Sequence, residues 1–207
     1  MNTFKDATTE EINAIMEQSW NAFETYRTFS LQQRAGFIHA IATALGSISE
    51  AVVAAAMKET HLPEARLNNE LTRTIFQLNS YADACKQGNW IEARIDTAIT
   101  ERNPSKPDLR KMLVPLGPVV VFGASNFPFA YSTAGGDTAC ALAAGCPVIV
   151  KAHPAHAQTS QMVSDAIIKV ARECNMPQGI FAHVHGAGFE VGKSLVMHPF
   201  FNAAGIT

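Results

Sequence analysis

The chain has 207 residues, of which 47% are hydrophobic and 16% are charged, and its formal net charge at pH 7 is -2. This charge gives no reason to expect nucleic acid or an anionic membrane as a partner. No apolar run approaches the roughly 20 residues of a membrane helix, and the acidic, polar N-terminus is unlike a signal peptide, so we expect a cytoplasmic protein. The length allows one domain with a sizeable core, and the low charge predicts apolar surface that packs against further sequence or another subunit.

Residues 1–88 predict a series of helices. Ser30 with Gln33 forms a capping box for one of them. Another opens at residues 62–64, because proline is tolerated in the first helical turn, and it ends near Gly88. The apolar stripes of these helices are most simply explained as core packing.

The character of the sequence changes over residues 89–111. Ile91, Ala93 and Ile95 alternate with polar residues, and the segment 103–108 is too rich in proline for regular structure. This pattern predicts a projecting β excursion, with an ordinary surface hairpin as the alternative.

A strand, a helix and a second strand follow in close succession. Residues 119–122 are continuously apolar, as in a parallel strand covered on both faces, and 147–150 repeat the pattern. Between them, residues 131–144 are small and suit a helix that lies close to a sheet. Such a unit is a right-handed crossover, and ligands bind beyond the carboxyl ends of its strands. Asn126 and Lys151 occupy those ends.

The pattern then repeats with a helix over residues 159–174 and strands over 180–184 and 202–207. Residues 185–192 contain GxGxxxG, one residue longer than the usual dinucleotide fingerprint and weak evidence alone, but it follows a strand and opens a helix, where phosphate is favoured. The fold class is therefore α/β: N-terminal helices followed by an incomplete Rossmann-like parallel sheet, residues 112–207, with helices on both faces.

The four cysteines show no CxxC pair and no spacing with histidine that suits a metal. We therefore predict no metal site and no disulfide framework, and we interpret the cysteines as small buried apolar residues: Cys85, Cys140, Cys146 and Cys174. The chain also lacks a Tyr-x-x-x-Lys pair, which argues against a short-chain-type reductase.

The turn Asn126-Phe127-Pro128 and the lysine at the end of the next strand, Lys151, resemble the aldehyde dehydrogenase superfamily. The likeness extends over residues 20–207, through segments such as ETHLPEARLNNELTRTIFQL, AGGDTACALAAG and VIVKAHPAH. It implies the N-terminal portion of an NAD(P)-dependent enzyme that oxidises a small semialdehyde, 2-oxoglutarate semialdehyde, to the carboxylate. In the family, the main glycine-rich turn, the general-base glutamate and the nucleophilic cysteine follow the position of Thr207, so we expect this chain alone to be inactive.

The resemblance assigns roles to individual residues. Asn126 would donate its side-chain amide to the oxyanion, and the alternative is a turn asparagine that caps the following helix. Lys151 would contact the adenosine ribose, and the alternative is a solvated strand end. Members that prefer NAD carry a glutamate three residues after this lysine, where this chain has Pro154 beside His153. We therefore expect NADP as the cofactor, with NAD possible, while each nearby histidine could equally be a surface residue.

Further residues are expected near the cofactor. Gly188 and Gly192 are interpreted as close-packing glycines, and the remaining candidates are Phe122, Gly123, Ala124, Ser125 and Thr207. In the family, the segment that matches residues 89–111 pairs with another subunit, so the resemblance implies a homo-oligomer.

A second reading belongs to another functional class. The chain could be a truncated protein without chemistry that binds nucleotide or associates with other subunits. Continuation of the coding sequence into a glycine-rich turn, a glutamate and a cysteine would favour the enzyme, and a stop codon after Thr207 would favour the alternative.

Overall fold

The structure, a computed structural model, describes residues 4–206. This part of the chain contains seven α-helices and six β-strands. In chain order they are α1 (Thr9–Tyr26), α2 (Leu31–Ser47), α3 (Ser49–Thr60), α4 (Glu64–Gln87), β1 (Arg94–Asp96), β2 (Leu109–Lys111), β3 (Val119–Phe122), α5 (Gly136–Ala144), β4 (Val148–Lys151), α6 (Ala157–Glu173), β5 (Phe181–Val184), α7 (Phe189–Val196) and β6 (Ala203–Ile206).

Four strands form one parallel sheet in the order β5-β4-β3-β6. The register pairs Phe122 with Lys151 and Lys151 with Val184, so the carboxyl ends of β3, β4 and β5 meet at one edge of the sheet. The predicted α/β fold with a Rossmann-like sheet is confirmed.

Helices cover both faces of this sheet, as predicted. Successive side chains of a strand point to opposite faces. Val119 and Val121 join the core formed with helices α2, α4, α5 and α6. Val120 and Ile149 instead pack against α1 and α7. Because both faces are buried, the central strands are apolar without alternation.

The ends of the first helices follow the capping residues. Ser30 and Gln33 form the expected capping box at the start of α2. Helix α4 begins after Pro63 and ends at Gly88, whose φ of 73° lies in the left-handed region that favours glycine. The predicted helix over 131–144 was wrong at its start, because the helix begins at Gly136 and the preceding residues form turns.

The β excursion is present as an antiparallel pair, β1 with β2. Its six residues are all exposed. Large apolar side chains remain exposed along this excursion and the segment that follows it: Ile95, Ile99, Leu109, Met112, Leu113, Val114 and Leu116.

The cysteines are free thiols with different environments. Cys85 and Cys146 are buried as expected, and Cys174 is half-buried. The prediction was wrong for Cys140, which is exposed because it lies on the outer side of α5, whereas its neighbours Ala139 and Ala141 face the core.

Within residues 4–206, no single helix has both the length and the hydropathy needed to cross a membrane. Helices α2 and α3 reach both criteria only when taken together, and they meet at an angle of 70°.

Candidate functional site

The turns that follow β3 and β4 lie against each other at the carboxyl edge of the sheet. The Gly123 amide donates to the Lys151 carbonyl oxygen over 3.1 Å. A Cβ atom on Gly123 would lie 3.1 Å from Ser132 Oγ and 3.3 Å from the His153 backbone nitrogen, so a larger residue would require these neighbours to move by a few tenths of an ångström. The structure therefore brings together eight of the predicted site residues: Phe122, Gly123, Ala124, Ser125, Asn126, Lys151, His153 and Pro154.

Helix α4 fixes the turn that carries Asn126. Arg66 Nη2 donates to the Asn126 carbonyl oxygen over 2.8 Å. Glu70 Oε1 accepts from the backbone amides of Phe129 and Ala130 over 2.8 and 2.9 Å. The carbonyl oxygens of Ala130 and Tyr131 accept from the amides of Gly136 and Ala124 instead of forming i→i−4 bonds, so the residues before Gly136 form turns and α5 begins later than predicted.

The sequence analysis missed Glu70. Its side chain is 6% exposed, and it shares the buried face of α4 with Leu67, Leu71 and Thr74. A carboxylate on an apolar stripe must find hydrogen-bond donors, because burying it alone is costly. The glutamate at position 70 therefore indicated that the buried face of α4 also accepts hydrogen bonds from backbone amides of another segment.

Asn126 is exposed, and its side-chain amide has no hydrogen bond with residues 4–206. The alternative role as a helix cap does not hold, because the N-cap of α5 is Gly135. The backbone of the turn is thus held while the amide remains available to a ligand.

His156 holds the same turn from the other side. Its ring is fully buried, and Nε2 lies 2.7 Å from the Ala124 carbonyl oxygen. Since a carbonyl only accepts, Nε2 carries the proton, and Nδ1 has no partner in the described part of the chain. The sequence analysis allowed that each histidine near Pro154 is a surface residue, and this alternative is wrong for His156 because its ring is fully buried.

Lys151 is half-buried at the end of β4. Burial lowers the pKa of its ammonium, while the carboxylate of Asp6 raises it. Among the described residues it takes part in no ion pair. A half-buried cation without a bound carboxylate, at the strand end beside the Gly123 turn, fits the hydroxyl and phosphate groups of a nucleotide.

His153 is less suited to bind an anion through charge. Burial, then His156 and Lys151, lower the pKa of its imidazole, which is therefore neutral at pH 7. Its Nδ1 accepts from the Ala155 amide over 3.1 Å, and it caps the short 3-10 turn Pro154–His156.

The N-terminus of α6 is occupied by the protein itself. The two carboxylate oxygens of Glu59, at the end of α3, accept from the amides of Gln158 and Thr159 over 2.8 Å each. The favourable end of this helix dipole is therefore already bound to an anion.

In the turn between β5 and α7, the prediction was wrong for Gly188. A Cβ atom on Gly192 would lie 3.3 Å from the Phe122 ring, as expected of a close-packing glycine. A Cβ atom on Gly188 would meet nothing within 4 Å, whereas on Gly186 it would lie 2.6 Å from Val191 Cβ. The close packing thus belongs to Gly186 and Gly192. Thr207, the last candidate, lies outside the described residues.

A buried network behind the site was also missed. Ser160 Oγ lies 2.6 Å from Thr133 Oγ1 and 2.7 Å from His183 Nε2. Burial, with a smaller contribution from His185, lowers the pKa of His183 to about 3, so its ring is neutral. The network links the turn before α5 to α6 and β5.

The sequence and fold were compared with known proteins. A model described as the aldehyde dehydrogenase family matches residues 1–207. Over 205 residues the chain is 46% identical to alpha-ketoglutaric semialdehyde dehydrogenase 2 of Azospirillum brasilense and 43% identical to an alpha-ketoglutaric semialdehyde dehydrogenase of Acinetobacter baylyi. Each match covers 99% of this chain and 39% of the relative, so the chain spans well under half the length of these relatives.

The fold is also similar to solved structures. A glyceraldehyde-3-phosphate dehydrogenase of Methanocaldococcus jannaschii, complexed with NADP, has a TM-score of 0.79 at 17% identity, and the match covers 99% of this chain and 42% of that one. At this identity the likeness concerns the fold alone.

Proposed function

Because this chain belongs to the aldehyde dehydrogenase family, we propose that it forms the N-terminal, cofactor-binding portion of an enzyme that oxidises a small semialdehyde to the carboxylate with a nicotinamide cofactor. One observation carries the proposal: the side-chain amide of Asn126 is available while Arg66, Glu70 and His156 hold the backbone around it. The similarity to two alpha-ketoglutaric semialdehyde dehydrogenases supports 2-oxoglutarate semialdehyde as the substrate.

The role of Asn126 follows from the charge that develops in the reaction. When a nucleophile adds to an aldehyde, the carbonyl oxygen becomes negative, and a donor that is already in position stabilises it without reorganisation. The family resemblance assigns the nucleophile and the general base to sequence beyond this chain. The nicotinamide cofactor, when bound, accepts the hydride. Asn126 therefore acts in the transition state, and Lys151 acts in holding the cofactor.

We also propose a preference for NADP. The position of the family's ribose-binding glutamate is Pro154, and no carboxylate occurs between Lys151 and Asp165. A cavity of about 620 Å³ lies against Pro154 and is lined in part by Lys58 and by Glu59, whose carboxylate is already bound to the backbone amides of α6.

The exposed excursion and the rest of the chain have separate roles in this proposal. Residues 1–88 and 112–207 form the cofactor-binding part. The apolar residues on and after β1 and β2 contact another subunit in a homo-oligomer.

The proposed activity is tested with the complete natural polypeptide that carries this sequence. We expect formation of NADPH that depends on 2-oxoglutarate semialdehyde, followed by absorbance. A protein that binds NADP but reduces none of it with any aldehyde would instead support the reading as a nucleotide-binding protein without chemistry.

The cofactor preference is tested with Pro154→Glu. The new carboxylate should repel a 2′-phosphate and raise the KM for NADP at least about tenfold, with little change in the KM for NAD. Steady-state rates with both cofactors measure the effect, and Pro154→Gln, which has similar size and no charge, is the control. An equal change for NAD and NADP in Pro154→Glu would contradict the argument about the phosphate.

A further inference from the structure

A second pair of polar groups lies beside the Asn126 turn. Arg73, on α4, donates from Nη2 to the hydroxyl oxygen of Tyr131 over 2.8 Å. Its guanidinium carbon also lies 5.3 Å from the centre of the Tyr131 ring. The contact joins the middle of the helix to the end of the turn, and it orients both polar groups.

The pair has donors available for an anion. Because a guanidinium only donates, the Tyr131 oxygen is the acceptor in this contact, and the tyrosine proton remains available. Arg73 has four further N–H donors. Among residues 4–206, neither Arg73 nor Arg66 forms an ion pair. Glu70, between them on the helix, directs one oxygen to backbone amides.

The pair is connected to the turn that carries the proposed oxyanion donor, because α4 contacts both. Arg66 donates to the backbone carbonyl oxygen of Asn126. Arg73 lies seven residues after Arg66, so the two arginines are about 10 Å apart along the helix axis. The Tyr131 ring is 5.1 Å from the Phe127 ring, edge to face. Asn126 and Tyr131 are five residues apart in one turn, and Arg66 and Arg73 of α4 contact one each, so both residues lie beside the same helix.

We propose that Arg73 and Tyr131 bind the carboxylate of the substrate, and that they thereby select aldehydes with a carboxylate at the far end of a short chain. This inference rests on the proposed function. Arg66 has a different role, because it holds the backbone of Asn126 and is therefore a positioning residue.

The test compares two substrates in the complete natural polypeptide. One is 2-oxoglutarate semialdehyde, and the other is pentanal, which has five carbons and no carboxylate. We expect Arg73→Gln to lower kcat/KM for the carboxylated substrate about ten- to one-hundredfold, mainly through KM, as for the loss of hydrogen bonds to a charged group. The rate with pentanal should change less than about twofold.

Three variants make the comparison specific. Tyr131→Phe removes one hydroxyl and keeps the ring, so it should cause a smaller loss, roughly three- to tenfold, for the carboxylated substrate alone. Arg73→Lys keeps the charge and should restore part of the preference. Arg172→Gln, on the exposed side of α6, removes an arginine away from the site and should change neither substrate.

Each outcome supports or overturns the assignment. Activity with pentanal shows that a variant is folded. Equal losses for both substrates in Arg73→Gln, or a natural enzyme that oxidises pentanal as efficiently as the carboxylated aldehyde, would overturn the carboxylate site and leave the proposed function intact. A natural enzyme that oxidises no aldehyde would overturn both.

Discussion

Replacing Asn126 by alanine is expected to slow hydride transfer by about one-hundred- to one-thousandfold, the usual effect of removing one oxyanion donor. The amide is needed chiefly when the carbonyl oxygen becomes negative, so the loss should fall on the chemical step, with cofactor binding nearly unchanged. Single-turnover reduction of NADP in the complete natural polypeptide measures this step.

The control for this substitution is Asn69→Ala, which removes an exposed asparagine from α4. Its single-turnover rate should match that of the natural protein. If Asn126→Ala also transfers hydride at the natural rate, Asn126 has only a structural role in its turn.

Replacing Lys151 by alanine should have the opposite effect. It removes contacts to the cofactor ribose, and hydrogen bonds that involve a charged group contribute about 1.5 to 3 kcal/mol each, so the affinity for NADP should fall roughly ten- to one-hundredfold. At saturating cofactor, the single-turnover rate should remain close to natural. Equilibrium titration of NADP by fluorescence measures the affinity.

Lys169→Ala is the matched control, because Lys169 is an exposed lysine on α6 that pairs only loosely with Glu173, over 3.9 Å. If Lys151→Ala has an unchanged dissociation constant for NADP, Lys151 is only a solvated strand end.

The central fold could be predicted because its signals are local. The apolar runs of β3 and β4, the capping box at Ser30 and the stop at Gly88 are each contained in a few neighbouring residues. The exposed hairpin was likewise evident from alternation and prolines.

The errors share a different cause. The turn before α5 is held by Glu70, which is about sixty residues earlier in the chain, and no local pattern around Tyr131 contains that contact. The same holds for the glycines, because the need for glycine at Gly186 arises from the position of Val191 after folding. The edge of the sheet could be predicted as the site, but the side chains that support it could not.

The ties between α4 and the Asn126 turn also bear on conformational entropy. Thirteen residues, 123–135, connect β3 to α5 without regular secondary structure, and ordering each backbone residue costs about 1–2 kcal/mol. Glu70 and His156 fix this segment when the chain folds, so the ordering would not be repeated in every cycle of the proposed reaction. Exchanging the Asn126 turn between relatives without the matching face of α4 would therefore transfer the donor but leave it mobile.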